Sequence, residues 1–439
     1  MKKVITYGSF DLFHFGHRRL LERAKKLGDY LIVGVTSDDY DRTRGKINAE
    51  QSLAERIAAV KATGLADLVI VEEYDGQKID DIKKYNVDTF AIGSDWEGKF
   101  DYLRNYCEVI YLERTKGISS SEIRAEKRAL KLGLVGDSLG YFSKIITESK
   151  FVNGLSISGI FSERGEGEEI QKLGVNKFNS LGEALENSDA VYIKTDYETR
   201  YETIKRALEA GRNVLVESPI TLDPKQTEEL FTLARKKKLV LMEAIRTAYS
   251  TAYQRLALLA EIGKIGEVVS VEATCTSQKR NNPEKCASLY EWGPNAMLPV
   301  FQVLGTDYKA KTIISRLDKK TGGDEITKIN FIYKSATASV YVAEGAKAEG
   351  ELIISGTEGY IYVPAPWWKT EYFEVRYEDT TKNRRYFYQL DGEGIRYELV
   401  EFLQATKDQK DVPRIERKVS LKISEVMKEF RDGKDLVEI

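Results

Sequence analysis

Short apolar runs alternate with amphipathic stretches through the first third of the chain. Five of the apolar runs predict buried strands, at residues 4–7, 30–35, 68–71, 89–92 and 109–112. The amphipathic stretches predict helices at 16–27, 52–63, 77–85 and 120–132. Strands that are apolar throughout and alternate with helices are typical of a parallel sheet covered on both faces. The pattern therefore predicts an α/β domain.

The helix predicted at 120–132 leads directly into the apolar Leu134-Val135-Gly136, with no Gly-, Ser- or Pro-rich linker. We therefore expect the next domain to be held close to the first. The β/α alternation then restarts. It predicts strands at 155–161, 190–194 and 213–216, and helices at 202–210 and 225–238. This second segment predicts another α/β domain with a parallel sheet.

Beyond about residue 245 the pattern changes to longer strands with alternating apolar and polar residues. These strands are predicted at 267–276, 329–333, 339–343, 352–355, 360–363 and 372–377, and helices follow at 394–405 and 423–430. The pattern predicts an α+β domain with an open, mainly antiparallel sheet. We therefore expect three domains, at 1–130, 131–244 and 245–439, in agreement with the length of 439 residues.

Charge and cysteine content restrict the possible partners. Lys and Arg number 67 against 69 Asp and Glu, a net charge of -2, so no global field favours nucleic acid or an anionic membrane. Cys107, Cys275 and Cys286 lie far apart, without metal-ligand spacing, and their odd number argues against a disulfide framework. No apolar run is long enough for a signal peptide or a membrane span. We expect a cytoplasmic protein without a metal-ligand cluster.

Both histidines of the chain lie in one segment, His14-Phe15-Gly16-His17, just after the first strand. A strand that leads through a glycine-containing turn into a helix is a phosphate-binding geometry, since backbone N–H groups face an incoming anion there. Asp11 adds a carboxylate that could hold a nearby N–H, a hydroxyl or a metal-bound water. The alternative is a pair of solvent-exposed histidines at a helix start.

A second anion-binding segment follows the fifth strand. Arg114 could bind phosphate oxygens through its guanidinium, and Ser119 to Ser121 could cap a helix whose N–H groups point at the same anion. The alternative is an ordinary serine N-cap with Glu122 in the first turn. Because both segments follow strands of one parallel sheet, they favour a triphosphate bound in one crevice. Lys46, in the loop after the second strand, is placed to neutralise a leaving pyrophosphate.

Four motifs in this order resemble the glycerol-3-phosphate cytidylyltransferase family over residues 1 to about 127. They are Tyr7-Gly8-Ser9-Phe10-Asp11, His14-Phe15-Gly16-His17, the segment 93–100 and the segment 114–120. The resemblance implies a Rossmann-like fold and transfer of a cytidylyl group. It implies that His14 and His17 stabilise the transition state, that Lys46, Arg114, Ser119 and Ser120 hold the triphosphate, and that Lys78 lies near the acceptor phosphate.

The resemblance also implies a larger set of nucleotide contacts. That set is Tyr7, Gly8, Ser9, Phe10, Asp11, Arg56, Asp95, Thr115, Ile118, Ser119 and Ser120. The family commonly has Thr at the position of Ser9 and Asp at the position of Ser94. The first difference keeps a hydroxyl, whereas the second removes a charge beside Asp95 and leaves the identity of the acceptor open.

Residues from about 130 onward resemble the glucose-fructose oxidoreductase/inositol dehydrogenase family. The matching segments are Asn213–Pro219, Leu241–Ala244 and Ile262–Val268. The resemblance implies a Rossmann dinucleotide-binding domain followed by the α+β domain. It also implies a cofactor site, which we assign to Gly136, Ser138, Gly140, Glu217 and Pro219, although Gly136-Asp-Ser-Leu-Gly140 is a weak match to the dinucleotide fingerprint.

The chemistry of this second family is matched less well than its fold. Ser218 stands where the family has the lysine that orients substrate and relays a proton. Asn295 stands at the end of the segment Glu291-Trp-Gly-Pro-Asn295, where the family has a histidine or a tyrosine variant. Any hydride transfer would need another acid or base, because an amide cannot supply a proton.

The sequence therefore predicts a CTP-dependent enzyme that makes a CDP-polyol, most simply CDP-glycerol from glycerol phosphate, for a cell-surface polymer. Pyrophosphate leaves in line, and Mg²⁺ spans the triphosphate. Two alternatives concern the second half: it reduces a keto precursor of the acceptor with NAD(P)H, or it is a non-catalytic scaffold. The segment Ser162-Glu163-Arg164 leaves NAD and NADP open, and we expect a homodimer or higher homo-oligomer.

Lys194 ends the predicted strand 190–194, where the parallel-sheet rule places side chains at the ligand crevice. One interpretation is a lysine at the sheet edge whose head reaches solvent. The other is a replacement for the lysine that is missing at Ser218, with a role in proton relay.

Overall fold

The computed structural model describes residues 1–37, 51–74, 76–113, 129–165, 167–278, 288–388, 390–408 and 414–439. They form two compact units, one of 1–129 with 151–154 and one of 130–150 with 155–439. The domain boundaries expected at 130 and 244 stay predictions. Within the described ranges, every helix is too short or too polar to cross a bilayer.

The first unit is built on one parallel sheet. Its strands are β1 (Lys3–Gly8), β2 (Tyr30–Thr36), β3 (Leu68–Glu72), β4 (Thr89–Gly93) and β5 (Glu108–Leu112), in the order β3-β2-β1-β4-β5. The described helices are α1 (Phe15–Lys25), α2 (Leu53–Ala62) and α3 (Gln77–Tyr85). The parallel α/β fold expected from the apolar runs is confirmed.

Successive residues of β1 point into opposite cores, because strand side chains alternate between the faces of a sheet. Val4 packs with Leu21 of α1 on one face, and Ile5 packs with Ile82 of α3 on the other. The strand order reverses beside β1, which has β2 on one side and β4 on the other. Ligands of open α/β sheets bind at such a reversal, beyond the carboxyl ends of the strands.

The second unit begins with another parallel sheet. It contains β6 (Leu130–Gly136), β7 (Leu155–Phe161), β8 (Lys177–Phe178), β9 (Ala190–Lys194), β10 (Asn213–Glu217) and β11 (Leu241–Ala244), in the order β11-β10-β9-β6-β7-β8. Its helices are α4 (Leu139–Ser149), α5 (Gly167–Lys172), α6 (Leu181–Glu186), α7 (Tyr197–Glu209) and α8 (Pro224–Lys237). The predicted strands at 155–161 and 190–194 are confirmed residue for residue.

The predicted helix 120–132 is wrong at its end. Leu130 to Leu132 belong to β6, which pairs with β7 on one side and β9 on the other. A short apolar run fits a helix and a buried strand equally well, and pairing on both edges decides for the strand. Glycine at position 133 lets Ser188 pack closely against β6, since a Cβ there would lie 2.5 Å from Ser188 Oγ. Residues 120–128 lie outside the described part of the chain.

The rest of the second unit is built on a nine-stranded sheet with the order β19-β18-β17-β16-β12-β15-β14-β13-β20. Its strands are β12 (Val268–Ser277), β13 (Ala310–Leu317), β14 (Asp324–Ile332), β15 (Thr337–Glu344), β16 (Leu352–Gly356), β17 (Tyr360–Val363), β18 (Tyr372–Arg376), β19 (Arg384–Phe387) and β20 (Leu436–Glu438). Only β12–β15 and β13–β20 pair in parallel, so the expected mainly antiparallel sheet is confirmed.

Five helices accompany this sheet: α9 (Arg246–Tyr249), α10 (Thr251–Glu261), α11 (Ser288–Val303), α12 (Ile395–Asp408) and α13 (Arg417–Arg431). The sequence did not predict α11, which contains Pro294 and Pro299, because proline disfavours a helix interior. Burial overrides that preference here, since both prolines and most of their neighbours are buried.

Gly34 of β2 lies directly under the Tyr7 ring, so we expect Gly34→Ala to destabilise the first unit. A Cβ at Gly34 would lie 2.3 Å from Tyr7 Cδ1, and this ring is fixed by a hydrogen bond to Asp81 and by stacking on Phe90. Overpacking of this kind costs about 1–3 kcal/mol. The measurement is the thermal unfolding temperature of the full chain. Gly93→Ala is the control, because a Cβ there meets no heavy atom within 4 Å.

Candidate active sites

The turn between β1 and α1 is held in a strained conformation. Phe10 and Leu12 have φ angles of 52° and 47°, in the left-handed region that side chains other than glycine rarely adopt. Such strain persists only where the surrounding structure holds it, and it occurs often at functional sites. The turn therefore needs a fixed support.

Arg56 of α2 provides that support. Its guanidinium is fully buried and donates to the carbonyl of Ser9 at 2.8 Å, of Thr36 at 2.9 Å and of Gln51 at 3.1 Å. The side chain thus joins the turn, the end of β2 and the residue before α2. The prediction placed Arg56 near the nucleotide. These three carbonyl contacts make it a positioning residue for the turn, and its place near the nucleotide stays a prediction.

The two histidines cap α1. His14 Nδ1 accepts a hydrogen bond from the Gly16 N–H at 3.0 Å, and His17 Nδ1 accepts from the His14 N–H at 3.4 Å. The two rings stack, with their centroids 3.9 Å apart. A neutral imidazole that accepts at Nδ1 carries its proton on Nε2. The hydrogen-bond pattern therefore assigns both histidines as Nε2–H donors held side by side.

Aromatic packing and a buried carboxylate fix these histidines further. The rings of Phe10 and Phe13 lie 5.5 and 5.6 Å from that of His17. Asp11 is buried, and its Oδ1 accepts from the Gln51 N–H at 3.0 Å. Holding a nearby N–H was one of the roles expected for Asp11. The imidazoles are thus positioned before any ligand arrives, as electrostatic stabilisation of a reaction requires.

Lys78 lies in a buried polar cluster at the carboxyl end of β3. Its ammonium pairs with Glu72 and lies 4.7 Å from the centre of the Tyr7 ring. The Tyr7 hydroxyl donates to Asp81 at 2.8 Å, and burial together with that carboxylate raises the pKa of Tyr7 above its ordinary value. Tyr7 therefore remains a neutral hydrogen-bond donor beside the lysine. The role of Lys78 toward the acceptor phosphate stays a prediction.

The structure places the remaining predicted residues of this unit as follows. Gly8 ends β1, Ser9 begins the turn, and Asp95 lies exposed in a 3₁₀ turn (Ser94–Trp96) after β4. The histidines, Lys78 and Asp95 thus all follow the carboxyl ends of strands of one sheet, namely β1, β3 and β4. Six predicted residues lie outside the described ranges: Lys46, Arg114, Thr115, Ile118, Ser119 and Ser120.

The second unit contains a cavity of about 990 Å³ at the carboxyl ends of β6, β9 and β10. Gly136, the last residue of β6, has a φ of 137°, and a Cβ there would lie 1.9 Å from the Lys194 carbonyl oxygen. Ser138 and Gly140 line the cavity at the start of α4, where a Cβ on Gly140 would meet no atom within 4 Å. Glycine at 136 is required by packing, whereas Gly140 leaves open space.

A cluster of charged and phenolic side chains lies in this cavity wall. Lys194 Nζ lies 3.6 Å from Glu217 Oε2 and 5.0 Å from the centre of the Tyr141 ring. The Tyr192 hydroxyl donates to Glu217 Oε1 at 2.6 Å. Burial alone would raise the pKa of Glu217, but Lys194 and Arg246 outweigh it and hold this pKa below its ordinary value. Lys194 therefore faces an ionised carboxylate inside the cavity.

Ser218 and Asn295, which replace the lysine and the histidine or tyrosine of the second family, each form a hydrogen bond. Ser218 donates to the buried Glu243, whose pKa burial raises above its ordinary value. Asn295 lines the cavity and accepts from the Thr247 hydroxyl at 3.0 Å. Pro219, which was predicted to bind the dinucleotide, is buried, and its carbonyl accepts from Arg200 at 2.7 Å. Pro219 is not among the residues that line the cavity.

Sequence reasoning missed several residues of both sites. In the first unit these are Glu72 and Asp81, and in the second Lys144, Arg246, Lys369, Glu393 and Glu398. Only Arg246 had a signal, since it follows the matched segment Leu241–Ala244 by two residues. The others come from separate elements, so their proximity appears only in the folded chain.

The first unit matches known cytidylyltransferases. Residues 5–126 match the cytidylyltransferase-like family model. Glycerol-3-phosphate cytidylyltransferase of Bacillus spizizenii is 53% identical over 130 residues, which cover 30% of this chain and 100% of that protein. The Staphylococcus aureus enzyme of the same name is 48% identical over 126 residues, with coverages of 29% and 95%.

The second unit resembles oxidoreductases. Residues 131–245 match a model described as the oxidoreductase family, NAD-binding Rossmann fold. A 3-ketoreductase from Actinomadura kijaniata, solved with NADP and TDP-benzene, aligns with 71% of this chain and 99% of its own. The TM-score is 0.62 and the identity 19%, so this comparison shows the fold.

Glu398 of α12 gives the second unit a pH-dependent stability. Burial, and then the Glu217 carboxylate, raise its pKa well above 4.5. The folded chain therefore binds more protons at this site than the unfolded chain between pH 4.5 and the raised pKa. The free energy of unfolding falls as pH rises through that window. Glutamine does not titrate, so Glu398→Gln lacks this decrease in the free energy of unfolding. We therefore expect the stability of the variant, relative to the wild type, to be higher at about pH 8 than at about pH 5.

Thermal unfolding at the two pH values measures this effect. Glu371→Gln is the control, because Glu371 is exposed in the same unit. An equal difference between Glu398→Gln and the wild type at both pH values would contradict a buried, protonated Glu398.

Proposed function

Because the chain belongs, through residues 1–130, to the glycerol-3-phosphate cytidylyltransferase family, we propose that it transfers a cytidylyl group from CTP to a polyol phosphate. The acceptor is most simply glycerol phosphate, which gives CDP-glycerol and pyrophosphate. The observation that carries this proposal is the pair of histidines held side by side at the start of α1, beyond the carboxyl end of β1. Use of the product in a cell-surface polymer and a homo-oligomeric state stay predictions.

In the proposed reaction a phosphate oxygen of the acceptor attacks the α-phosphorus of CTP, and pyrophosphate leaves in line. Negative charge on the phosphoryl oxygens must be stabilised as the bonds exchange. The Nε2–H groups of His14 and His17 are suited to donate to those oxygens, since their Nδ1 atoms are engaged with the backbone. The histidines therefore act as electrostatic stabilisers and need not take a proton from the nucleophile.

The other end of the proposed site binds the acceptor. Lys78 provides a cation beside Glu72, and the hydrogen bond from the Tyr7 hydroxyl to Asp81 fixes its surroundings. Mg²⁺ would neutralise part of the triphosphate charge. Lys46, Arg114, Ser119 and Ser120 complete the proposed triphosphate contacts. The choice of cytosine over other bases rests on the family likeness.

We expect His17→Ala to lower kcat/KM for CDP-alcohol formation by about a hundredfold or more, because removal of one preorganised donor costs about 3 kcal/mol of transition-state stabilisation. The assay follows pyrophosphate release from CTP and glycerol 3-phosphate by the full chain. Lys194→Met is the matched control, since this residue lies in the other unit. An unchanged kcat in His17→Ala would disprove the proposed role.

A second function is favoured by the cavity of the second unit. We propose that it reduces a keto precursor of the acceptor with NAD(P)H. The site fits a dinucleotide, since Gly136 permits close approach of β6 and β9, and Ser138 and Gly140 open the start of α4 to the cavity. The cofactor supplies the hydride for the carbonyl carbon, and a side chain of the protein must supply the proton for the carbonyl oxygen.

Lys194 is the proposed source of that proton. It lines the cavity, and the ionised Glu217 lies 3.6 Å from its ammonium. The Glu217 carboxylate holds the ammonium at the cavity wall, where a carbonyl oxygen can accept its proton. Lys194 ends β9 and lies beside Glu217, the last residue of β10, and Ser218, where the family lysine is missing, is the next residue along the chain.

Lys194→Met is expected to reduce NAD(P)H oxidation with small keto-polyol phosphates by about a hundredfold or more, the usual range for loss of a general acid. CDP-alcohol formation by the same preparation serves as the control and should not change. If the wild-type chain oxidises no NAD(P)H with any such substrate, the scaffold alternative stands instead.

A further inference from the structure

One carboxylate in the cavity wall is surrounded by three cations. Glu393 Oε2 lies 3.0 Å from Lys369 Nζ, 3.1 Å from Lys144 Nζ and 3.6 Å from Arg246 Nη1. All four residues line the cavity of the second unit. Burial would raise the pKa of Glu393, but hydrogen bonds to Lys369 and Lys144 lower it to about 2. The carboxylate is therefore ionised at any ordinary pH.

These four residues come from four separate elements. Lys144 lies on α4, Arg246 begins α9, and Lys369 ends a 3₁₀ turn, Trp367–Lys369. Glu393 lies between Gly392 and Gly394, and the three residues have φ angles of 59°, 54° and 86°. A glutamate rarely adopts this left-handed conformation. The segment thus accepts backbone strain to hold a carboxylate among the three cations.

The cations exceed the carboxylates around Glu393 and Glu217, although the cavity lining as a whole holds as many carboxylates as cations. Lys194 adjoins the group through Glu217, whose pKa Arg246 also lowers. The four cations Lys144, Lys194, Arg246 and Lys369 thus face the two ionised carboxylates Glu217 and Glu393. Glu398 adds no charge, because burial keeps it protonated. The excess of two positive charges would balance the two negative charges that a phosphate monoester carries above its second pKa of about 6.

We propose that Lys144, Arg246 and Lys369 bind the phosphate group of a keto-polyol phosphate, and that the Glu393 carboxylate occupies this site until the substrate enters. An arginine with two lysines suits phosphate oxygens, since guanidinium binds them in a fork and ammonium as a point charge. Identification of the ligand as the substrate rests on the second function proposed above. Because a bound Glu393 must be displaced, it lowers the apparent affinity for the phosphate.

The test is a calorimetric titration of the full chain with inorganic phosphate. We expect Glu393→Gln to bind phosphate about fivefold more tightly than the wild type, because the competing charge is removed. The double variant Lys144→Met/Lys369→Met should bind it about tenfold more weakly, since two charged hydrogen bonds are lost. Lys382→Met is the control, because Lys382 is exposed and pairs with Asp379 away from the cavity. Any phosphate bound by residues 1–129 contributes equally to all four proteins.

A second titration, with NADPH, distinguishes the substrate's phosphate from the cofactor's own phosphates. Weaker phosphate binding by the double variant, with NADPH binding retained, supports the substrate assignment. An equal loss of both assigns the cations to the cofactor and overturns it. Identical phosphate affinities in all four proteins overturn the site itself. Glu393→Gln keeps the shape of the side chain and carries the test if the double variant fails to fold.

The phosphate titration needs no catalysis, so its outcome is separate from that of the proposed reduction. A chain that oxidises no NAD(P)H but shows the expected changes in phosphate affinity refutes the reduction and keeps the site. A chain that reduces keto-polyol phosphates with unchanged KM in Glu393→Gln and in the double variant keeps the reduction and refutes the site.

Discussion

Parallel strands all end at the same edge of a sheet, and both candidate sites depend on this constraint. In the first unit it brings the turn after β1, the end of β3 and the turn after β4 to one edge. In the second it does the same for Gly136, Lys194 and Glu217 at the ends of β6, β9 and β10. Because the strand interiors are buried on both faces, charged side chains are tolerated only where the strands end. A one-residue shift in strand register would move these side chains into the core.

Arg56 and the cluster around Lys194 satisfy their buried charges in different ways. Arg56 is a fully buried cation that donates to three backbone carbonyls. Its desolvation is offset by hydrogen bonds that also fix a strained turn, so the charge serves the geometry of the histidines. In the second unit, Lys194 and Arg246 meet Glu217 and two tyrosines inside a cavity. There the charges line the open cavity, so a bound ligand can replace a carboxylate as the partner of a cation.

Local pattern was sufficient for elements whose residues all favour one structure. The strand 190–194 and the helix 77–85 were predicted residue for residue, since each has one period and clear ends. It failed at Leu130–Leu132, where a short apolar run suited two structures and pairing with two neighbours decided. Local pattern also failed at α11, because its two prolines disfavour a helix, whereas tertiary packing stabilises one there. The same limit applies to the sites: His14 and His17 are neighbours in sequence, but Glu393 meets Lys144 only through the fold.

The two proposed activities place different demands on one phosphate group. Cytidylyl transfer uses a phosphate oxygen as the nucleophile, so that phosphate must reach the α-phosphorus of CTP with its charge only partly neutralised. Reduction changes a carbonyl elsewhere in the molecule, so there the phosphate serves as a handle and can be fully neutralised. A single buried Lys78 paired with Glu72 suits the first demand, and the three cations around Glu393 suit the second. The ester survives reduction, so the product of one reaction keeps the nucleophile that the other requires.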